Sequence, residues 1–193
     1  SYVGNGEEYL IDLINKSQPA ILISAHIGSW NIAGELLKEK GGMINVVMYD
    51  GEAKKIKRLV EKNIGESNYN IIEIKDDLSH LFKIKNAIDN KELICIHADR
   101  YIEGASTITA RLFNKKIHLP LGPFAIVSKL NIPYSFVFCF RESMYRYQFS
   151  ATKPELSNDP QIIANEFAEV LSEKLSKYPE QWFNYFNIFE IKK

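Results

Sequence analysis

The amino-acid sequence predicts an α/β fold: a single domain over residues 1–193, with a mixed, mostly parallel sheet flanked by helices. Short apolar runs of strand length alternate with segments of helical periodicity, the pattern of successive βαβ units. The run from Tyr134 to Phe140 is almost wholly apolar, as expected of a strand covered on both faces. A chain of 193 residues, 46% hydrophobic and 25% charged, has the size for one sizeable core and the composition of an ordinary globular domain.

Glu7 to Lys16 places Leu10, Ile11 and Ile14 on one helical face. Ile21 to Ile23 reads as a buried strand that ends in small residues and then His26. Gly28 and Ser29 make a turn, and Ser29 suits the N-cap of a helix running from Trp30 through Leu37 to a stop at Gly41-Gly42. Ile44 to Tyr49 is the next strand, Asp50-Gly51 a turn, and Glu52 to Lys62 a helix with Ile56, Leu59 and Val60 inward. After a strand over Asn70 to Ile74, Asp76 or Asp77 caps a helix expected to bury Leu78, Leu81, Phe82 and Ile88 and to close at Asn90. Leu93 to His97 is a further strand. Ala110–Phe113 and Lys116–Leu119, joined by Asn114-Lys115, read as a hairpin. Gly122-Pro123 opens a helix over Phe124 to Leu130, with proline at the favoured first position. Tyr134 to Phe140 should be the most buried strand, with Arg146 to Thr152 beside it and nearer an edge. Asp159-Pro160 starts a long helix through Leu175, and Pro179 to Phe183 begins a closing aromatic-rich segment. The hairpin and the later strands add antiparallel pairs at one side.

Lys plus Arg and Asp plus Glu both total 24, so the net charge is zero and no global pull toward nucleic acid exists. Arg111, Lys115, Lys116, Arg141 and Arg146 read as a solvated face or as a basic rim. The two cysteines, Cys95 and Cys139, lie within apolar runs and are expected to be reduced core thiols. No metal-ligand spacing occurs, and no zinc site is expected. No apolar run approaches the roughly 20 residues that cross a bilayer, and no signal peptide is visible. The chain begins at Ser1 without methionine, as a piece cut from a longer protein does, which leaves a preceding membrane anchor open.

Polar residues follow several of the apolar strands: His26, Asp50, and Asp99 with Arg100. If those strands are parallel neighbours, these groups share the crevice where open α/β sheets bind ligands. Gly122-Pro123 adds a helix N-terminus, suited to a phosphate or an oxyanion. Each has a plainer reading: His26 as a hydrogen-bonded structural residue, Asp50 as a turn residue, Asp99-Arg100 as a local ion pair, Gly122-Pro123 as a helix start without a ligand.

Ala25-His26-Ile27-Gly28-Ser29-Trp30-Asn31-Ile32-Ala33 resembles the H-F-G-N-W-E block of the lysophospholipid acyltransferases of lipid A biosynthesis, the lauroyl and myristoyl transferase family. His97-Ala98-Asp99-Arg100 resembles that family's strand-end Asp segment. Leu112 to Lys116, followed by Leu119-Pro120-Leu121-Gly122-Pro123, is similar to its F-x-G-K and P-x-G-P block. Tyr178-Pro179-Glu180-Gln181-Trp182-Phe183 is similar to its terminal Y-P-x-Q-W signature. Each motif is weak alone, but together they run in the family's order along nearly the whole chain.

The resemblance implies a glycerolipid-acyltransferase-like fold and an O-acyltransferase. It places the enzyme at the cytoplasmic face of the bacterial inner membrane, peripheral or anchored. The acyl donor is a thioester of acyl carrier protein or coenzyme A, and the acceptor is a hydroxyl of a lipid or glycolipid. No other cofactor is implied. His26 acts as general base, because an alcohol is a poor nucleophile until a base takes its proton. Trp30, Asp50, Asp99, Arg100, Lys115, Gly122 and Pro123 become candidates for substrate binding. The family carries a carboxylate five residues after the histidine to orient the ring; here that position is Asn31, which brings no charge. Glu35, one helical turn further on the same face, is a candidate substitute. Asp50 stands where many relatives carry an arginine. An inactive relative that binds lipid or acyl carrier is therefore the rival reading, and a hydrolase using His26 on an acyl ester a more distant one. The closing aromatic segment reads as core packing or as a surface that dips into lipid.

Overall fold

The computed structural model describes residues 2–49, 69–75, 77–185 and 187–189, with the side chains at 2, 3, 30, 31, 35, 36 and 38 outside that description. The expected helix over Glu52 to Lys62 lies outside the described residues, as does Asp50.

The strands are β1 (Tyr2–Asn5), β2 (Ala20–Ser24), β3 (Ile44–Tyr49), β4 (Asn70–Ile74), β5 (Leu93–His97), β6 (Thr107–Leu112), β7 (Lys115–Pro120), β8 (Tyr134–Ser143) and β9 (Arg146–Ala151). The described helices are α1 (Glu7–Asn15), α2 (Trp30–Glu39), α3 (Ser79–Asp89), α4 (Leu121–Leu130) and α5 (Pro160–Lys177). A short 3₁₀ turn over Pro179–Gln181 follows α5. Among the described residues the main sheet has seven strands in the order β1-β9-β8-β2-β5-β3-β4, and β6 pairs only with β7. From β8 to β4 all neighbours are parallel; β8–β9 is antiparallel, and β1 joins β9 in parallel. The α/β expectation therefore holds, with the antiparallel pairs confined to β8–β9 and the hairpin.

Every residue of β2 is buried, because β5 and β8 flank it and both faces are covered. Leu22 points to one core with Leu10, Leu13, Ala33 and Leu37 of α1 and α2. Ile21 and Ile23 point to the other, with the hairpin, α3, α4 and α5. That alternation is the period of two of a pleated strand.

Some local expectations change. Residues Tyr2–Asn5 form a strand, so β1 and not β9 is the edge on that side. Pro123 is the third residue of α4, not the first, because Leu121 N–H already finds the Ser106 carbonyl at 2.9 Å and starts the helix earlier. The largest change is in α3, whose buried residues are His80, Ile84 and Ala87, while Leu78, Leu81 and Phe82 are exposed. Spacings of four and seven put 80, 84 and 87 on one stripe, and that stripe faces the sheet. Leu78 caps α3 in a left-handed conformation at φ 59°, and the expected capping aspartate Asp77 accepts from Ser79 N–H at 2.9 Å one step earlier. Both cysteines are free thiols, with Cys139 buried and Cys95 partly so; burial pushes each up to about 12.

Candidate active site

His26 lies two residues beyond β2, at the carboxyl edge of the parallel strands. Its main chain is held at both ends: its N–H donates to Asp99 Oδ2 at 3.0 Å, and its carbonyl accepts from Phe183 N–H at 2.8 Å. The next turn depends on Gly28, at φ 67°, where an added Cβ would stand 2.0 Å from the Cys139 carbonyl oxygen. Gly28 N–H reaches the Gln181 carbonyl at 2.9 Å, and Ser29 N–H reaches the Cys139 carbonyl at 2.6 Å. The His26–Ser29 turn is thus fixed from β5, from β8 and from the 3₁₀ turn together.

The imidazole meets a carboxylate remote in sequence. His26 Nδ1 stands 2.7 Å from Asp99 Oδ1, across 73 residues of chain. A carboxylate only accepts, so Nδ1 carries the hydrogen and Nε2 is the basic nitrogen of the neutral ring. Asp99 is fully buried. Its Oδ2 also accepts from Trp182 Nε1 at 3.0 Å, and its carbonyl accepts from Asn184 Nδ2 at 3.2 Å. Burial alone would raise the Asp99 carboxyl. The hydrogen bonds from His26 and Trp182 and the charges of His26 and His97 outweigh it and hold the carboxyl below its ordinary value. Asp99 is therefore ionised at neutral pH. Expected among the substrate-binding groups, its carboxylate is instead sealed in the protein with both oxygens turned to donors.

The terminal Y-P-x-Q-W stretch builds the third wall of this site. Tyr178 stacks on Phe140 of β8, with ring centroids 4.2 Å apart and planes at 13°. The Gln181 side chain pairs with the Arg141 backbone, accepting from its N–H at 2.9 Å and donating to its carbonyl at 2.8 Å. That double clamp sets the 3₁₀ turn against the end of β8 and so aims the Trp182 indole at Asp99.

A cavity of about 300 Å³ opens beside His26 and runs over the ends of β5, β3 and β4. Crossing from β2 to β4 spans three inter-strand spacings, about 14 Å. Val47, Ile74, Ile96 and Ile126 give it an apolar wall. His97, whose ring lies 4.4 Å centroid to centroid from that of His26, lines it near one end. His80 lines it from α3, with Nδ1 accepting from Lys75 N–H at 3.4 Å. Arg100, Gly122 and Pro123 line it as well. Arg100 also donates to the Phe183 carbonyl. In the first turn of α4, Leu121 N–H is taken by Ser106 and Pro123 has none, so Gly122 supplies the remaining donor.

Lys115, among the described sequence candidates, falls elsewhere. Lys115 stands at the hairpin tip with its ammonium 5.8 Å from the centre of the Phe189 ring. The hairpin meets the cavity at its base, through Ser106 and Pro120, and its paired length carries the tip about 17 Å away. Trp30, Asn31 and Glu35 lie on the α2 backbone, but their side chains, like all of Asp50, are outside the described residues. Sequence reasoning gave no role to His80, His97 or Asn184 and left Trp182 in a closing aromatic segment read as core packing or as a surface that dips into lipid. The only sequence signal for Trp182 was the terminal motif. Among the described residues no group of His, Cys, Asp and Glu is arranged to hold a metal ion.

A histidine–aspartate pair stands at the carboxyl edge of an α/β sheet, where such sheets bind ligands, beside a cavity with an apolar wall. The profile of the bacterial lipid A biosynthesis acyltransferases matches residues 3–189, and the chain belongs to that family. Its family activity is acyl transfer in lipid A biosynthesis, with an acyl donor and a lipid acceptor as substrates. A search of the curated proteins gives no match. No described helix is long and apolar enough to cross a membrane.

Proposed function

We propose that the chain moves a fatty acyl group from a thioester of acyl carrier protein or coenzyme A to a hydroxyl of a lipid or glycolipid acceptor, at the cytoplasmic face of the inner membrane, with His26 as general base. The single observation that carries this reading is the 2.7 Å contact of His26 Nδ1 with the buried Asp99 carboxylate. It supplies the charge that Asn31 lacks, and so favours an active enzyme over a silent lipid-binding relative.

In the proposed reaction Nε2 takes the hydroxyl proton as the oxygen attacks the thioester carbon. Asp99 stabilises the imidazolium that forms, the part an aspartate plays in a serine protease triad. Gly122 and Arg100 line the cavity, and the Gly122 N–H and the Arg100 guanidinium are the candidates to stabilise the oxyanion. Collapse of the tetrahedral intermediate breaks the C–S bond; the thiolate recovers the proton from His26 and leaves as a thiol, and the acceptor keeps the ester. The apolar wall accommodates acyl chain.

The test is transfer of a radiolabelled acyl group from acyl carrier protein and from coenzyme A to extracted bacterial lipids, with product analysis. Acylated lipid is expected with the natural chain and none above background with His26→Ala. Free fatty acid as the sole product would instead establish a hydrolase. No His26-dependent product from either donor would overturn the reading.

A further inference from the structure

The cavity beside His26 is polar toward both ends of its course over the sheet and apolar between them. His26, His97 and Arg100 line it on the β2 and β5 side. Ile96 of β5 and its register partner Val47 of β3 continue the wall, with Ile74 of β4 and Ile126 of α4. On the β3 and β4 side the lining turns polar again, with Tyr49 and His80. Tyr49 lies two residues beyond Val47, and a pleated strand puts both on one face. Its register partner is Ile74, the last residue of β4. The next residue, Lys75, donates its N–H to His80 Nδ1 at 3.4 Å. Tyr49 and His80 thus flank the same strand ends.

Both side chains bring a hydrogen to this end. Because His80 Nδ1 accepts, Nε2 carries the ring hydrogen. Burial raises the Tyr49 phenol above its ordinary value, so the hydroxyl stays protonated at neutral pH. His80 is only 9% exposed, and Tyr49 is half-buried. Among the described residues neither the Tyr49 hydroxyl nor His80 Nε2 has a hydrogen-bond partner. A plain hydrocarbon chain laid along the cavity cuts both donors off from water and gives nothing back, which is unfavourable. A chain that carries an oxygen at this point restores both bonds. No lysine or arginine lines this end among the described residues, which favours a neutral hydroxyl over a carboxylate or a phosphate.

The separation fixes where that oxygen sits. β3 and β4 are two and three strands from β2, about 10 to 14 Å at the usual spacing. An extended chain gains about 1.2 Å per bond, so the end of a chain of about ten carbons reaches the pair. We propose that Tyr49 and His80 form a specificity subsite for a hydroxyl at the ω end of a medium-length acyl chain. A site built to donate to a substrate oxygen rejects the analogue that lacks it, because its own buried groups are then left unpaired. That the chain arrives as a thioester rests on the acyl-transfer reading; recognition of its far end does not.

Competition between decanoyl, β-hydroxydecanoyl and ω-hydroxydecanoyl thioesters, each on acyl carrier protein and on coenzyme A, tests it. The kcat/KM for the ω-hydroxy chain should exceed that for the plain chain by at least about tenfold. The β-hydroxy chain should gain no such factor, since its oxygen stays beside the thioester. Tyr49→Phe removes one oxygen atom, and His80→Leu removes the second donor. Each should lower kcat/KM for the ω-hydroxy chain while holding or raising it for the plain chain, a divergence that general loss of structure does not produce. Calorimetry with free ω-hydroxydecanoate and decanoate, on the unaltered chain and on His26→Ala, should show the same preference without transfer. The proposal falls if plain and ω-hydroxy chains bind and react equally, if the β-hydroxyl gains as much as the ω-hydroxyl, or if Tyr49→Phe weakens both chains alike. Preference in calorimetry with no transfer from any donor would uphold the subsite and remove the acyl-transfer reading. Transfer without preference would do the reverse.

Discussion

Asp99→Asn is the sharpest test of the site because the geometry forces its outcome. Two N–H groups, those of His26 and of the Trp182 indole, converge on Oδ2 at 3.0 Å each. In the variant only one side-chain oxygen remains, and it must stay with those two donors. The new amide nitrogen then falls where Oδ1 stood, 2.7 Å from His26 Nδ1. Facing a donor, Nδ1 must accept, so the ring hydrogen moves to Nε2 and the basic nitrogen is lost. The charge that stabilises the imidazolium goes with it. The same substitution in a serine protease triad costs about 10⁴ in kcat, which corresponds to roughly 5 kcal/mol at 1.36 kcal/mol per tenfold. Single-turnover acyl transfer should therefore fall by about 10³ to 10⁴ with little change in KM. Thermal unfolding should move little, because each donor keeps an acceptor. A variant within tenfold of the natural chain would refute the assignment of Asp99 as the partner of the base.

Trp182→Phe removes one donor from Asp99, and the cost is expected at about tenfold in kcat together with a weaker acid limb of stability. The sign follows from Asp99, whose folded carboxyl is held low. Its contribution is complete above the unfolded value of about 3.9 and disappears as pH falls through the folded value, so the variant should unfold at a higher pH in an acid titration followed by circular dichroism. Gly28→Ala places a Cβ 2.0 Å from the Cys139 carbonyl oxygen at a left-handed position. It should lower Tm measurably and, by shifting the turn that carries His26, cut the transfer rate by about 10². Asn31→Glu should change that rate by less than about tenfold, since Asp99 already provides a carboxylate to the ring. A gain of several orders of magnitude would instead return the orienting role to position 31.

Much of the fold was legible along the chain. Ile44–Tyr49, Asn70–Ile74 and Leu93–His97 are strands with the expected limits. Asp159 caps α5 through Gln161 N–H at 2.8 Å, as its place before Pro160 suggested. The hairpin turn falls on Phe113 and Asn114, both at positive φ, one residue before the Asn114-Lys115 expected. Such features are written in a few adjacent residues, because turn chemistry and side-chain period act over one or two turns of chain. The placement of His26 past a buried strand is of the same kind.

Tertiary structure decided the rest. In α3 the apolar residues were numerous enough to fit two stripes, and only the sheet determined that His80, Ile84 and Ala87 turn inward. The ring's partner could not be found by counting from the histidine: the sequence pointed five residues ahead to Asn31, while the carboxylate in contact comes from the end of β5, the strand beside β2. The indole that fixes that carboxylate comes from beyond α5, drawn in by the Gln181 clamp on β8. Short-range pattern determined which residues end strands and start helices. Which of those ends meet is set by strand order, and strand order is a property of the packed sheet, where contacts between distant segments outweigh local preference.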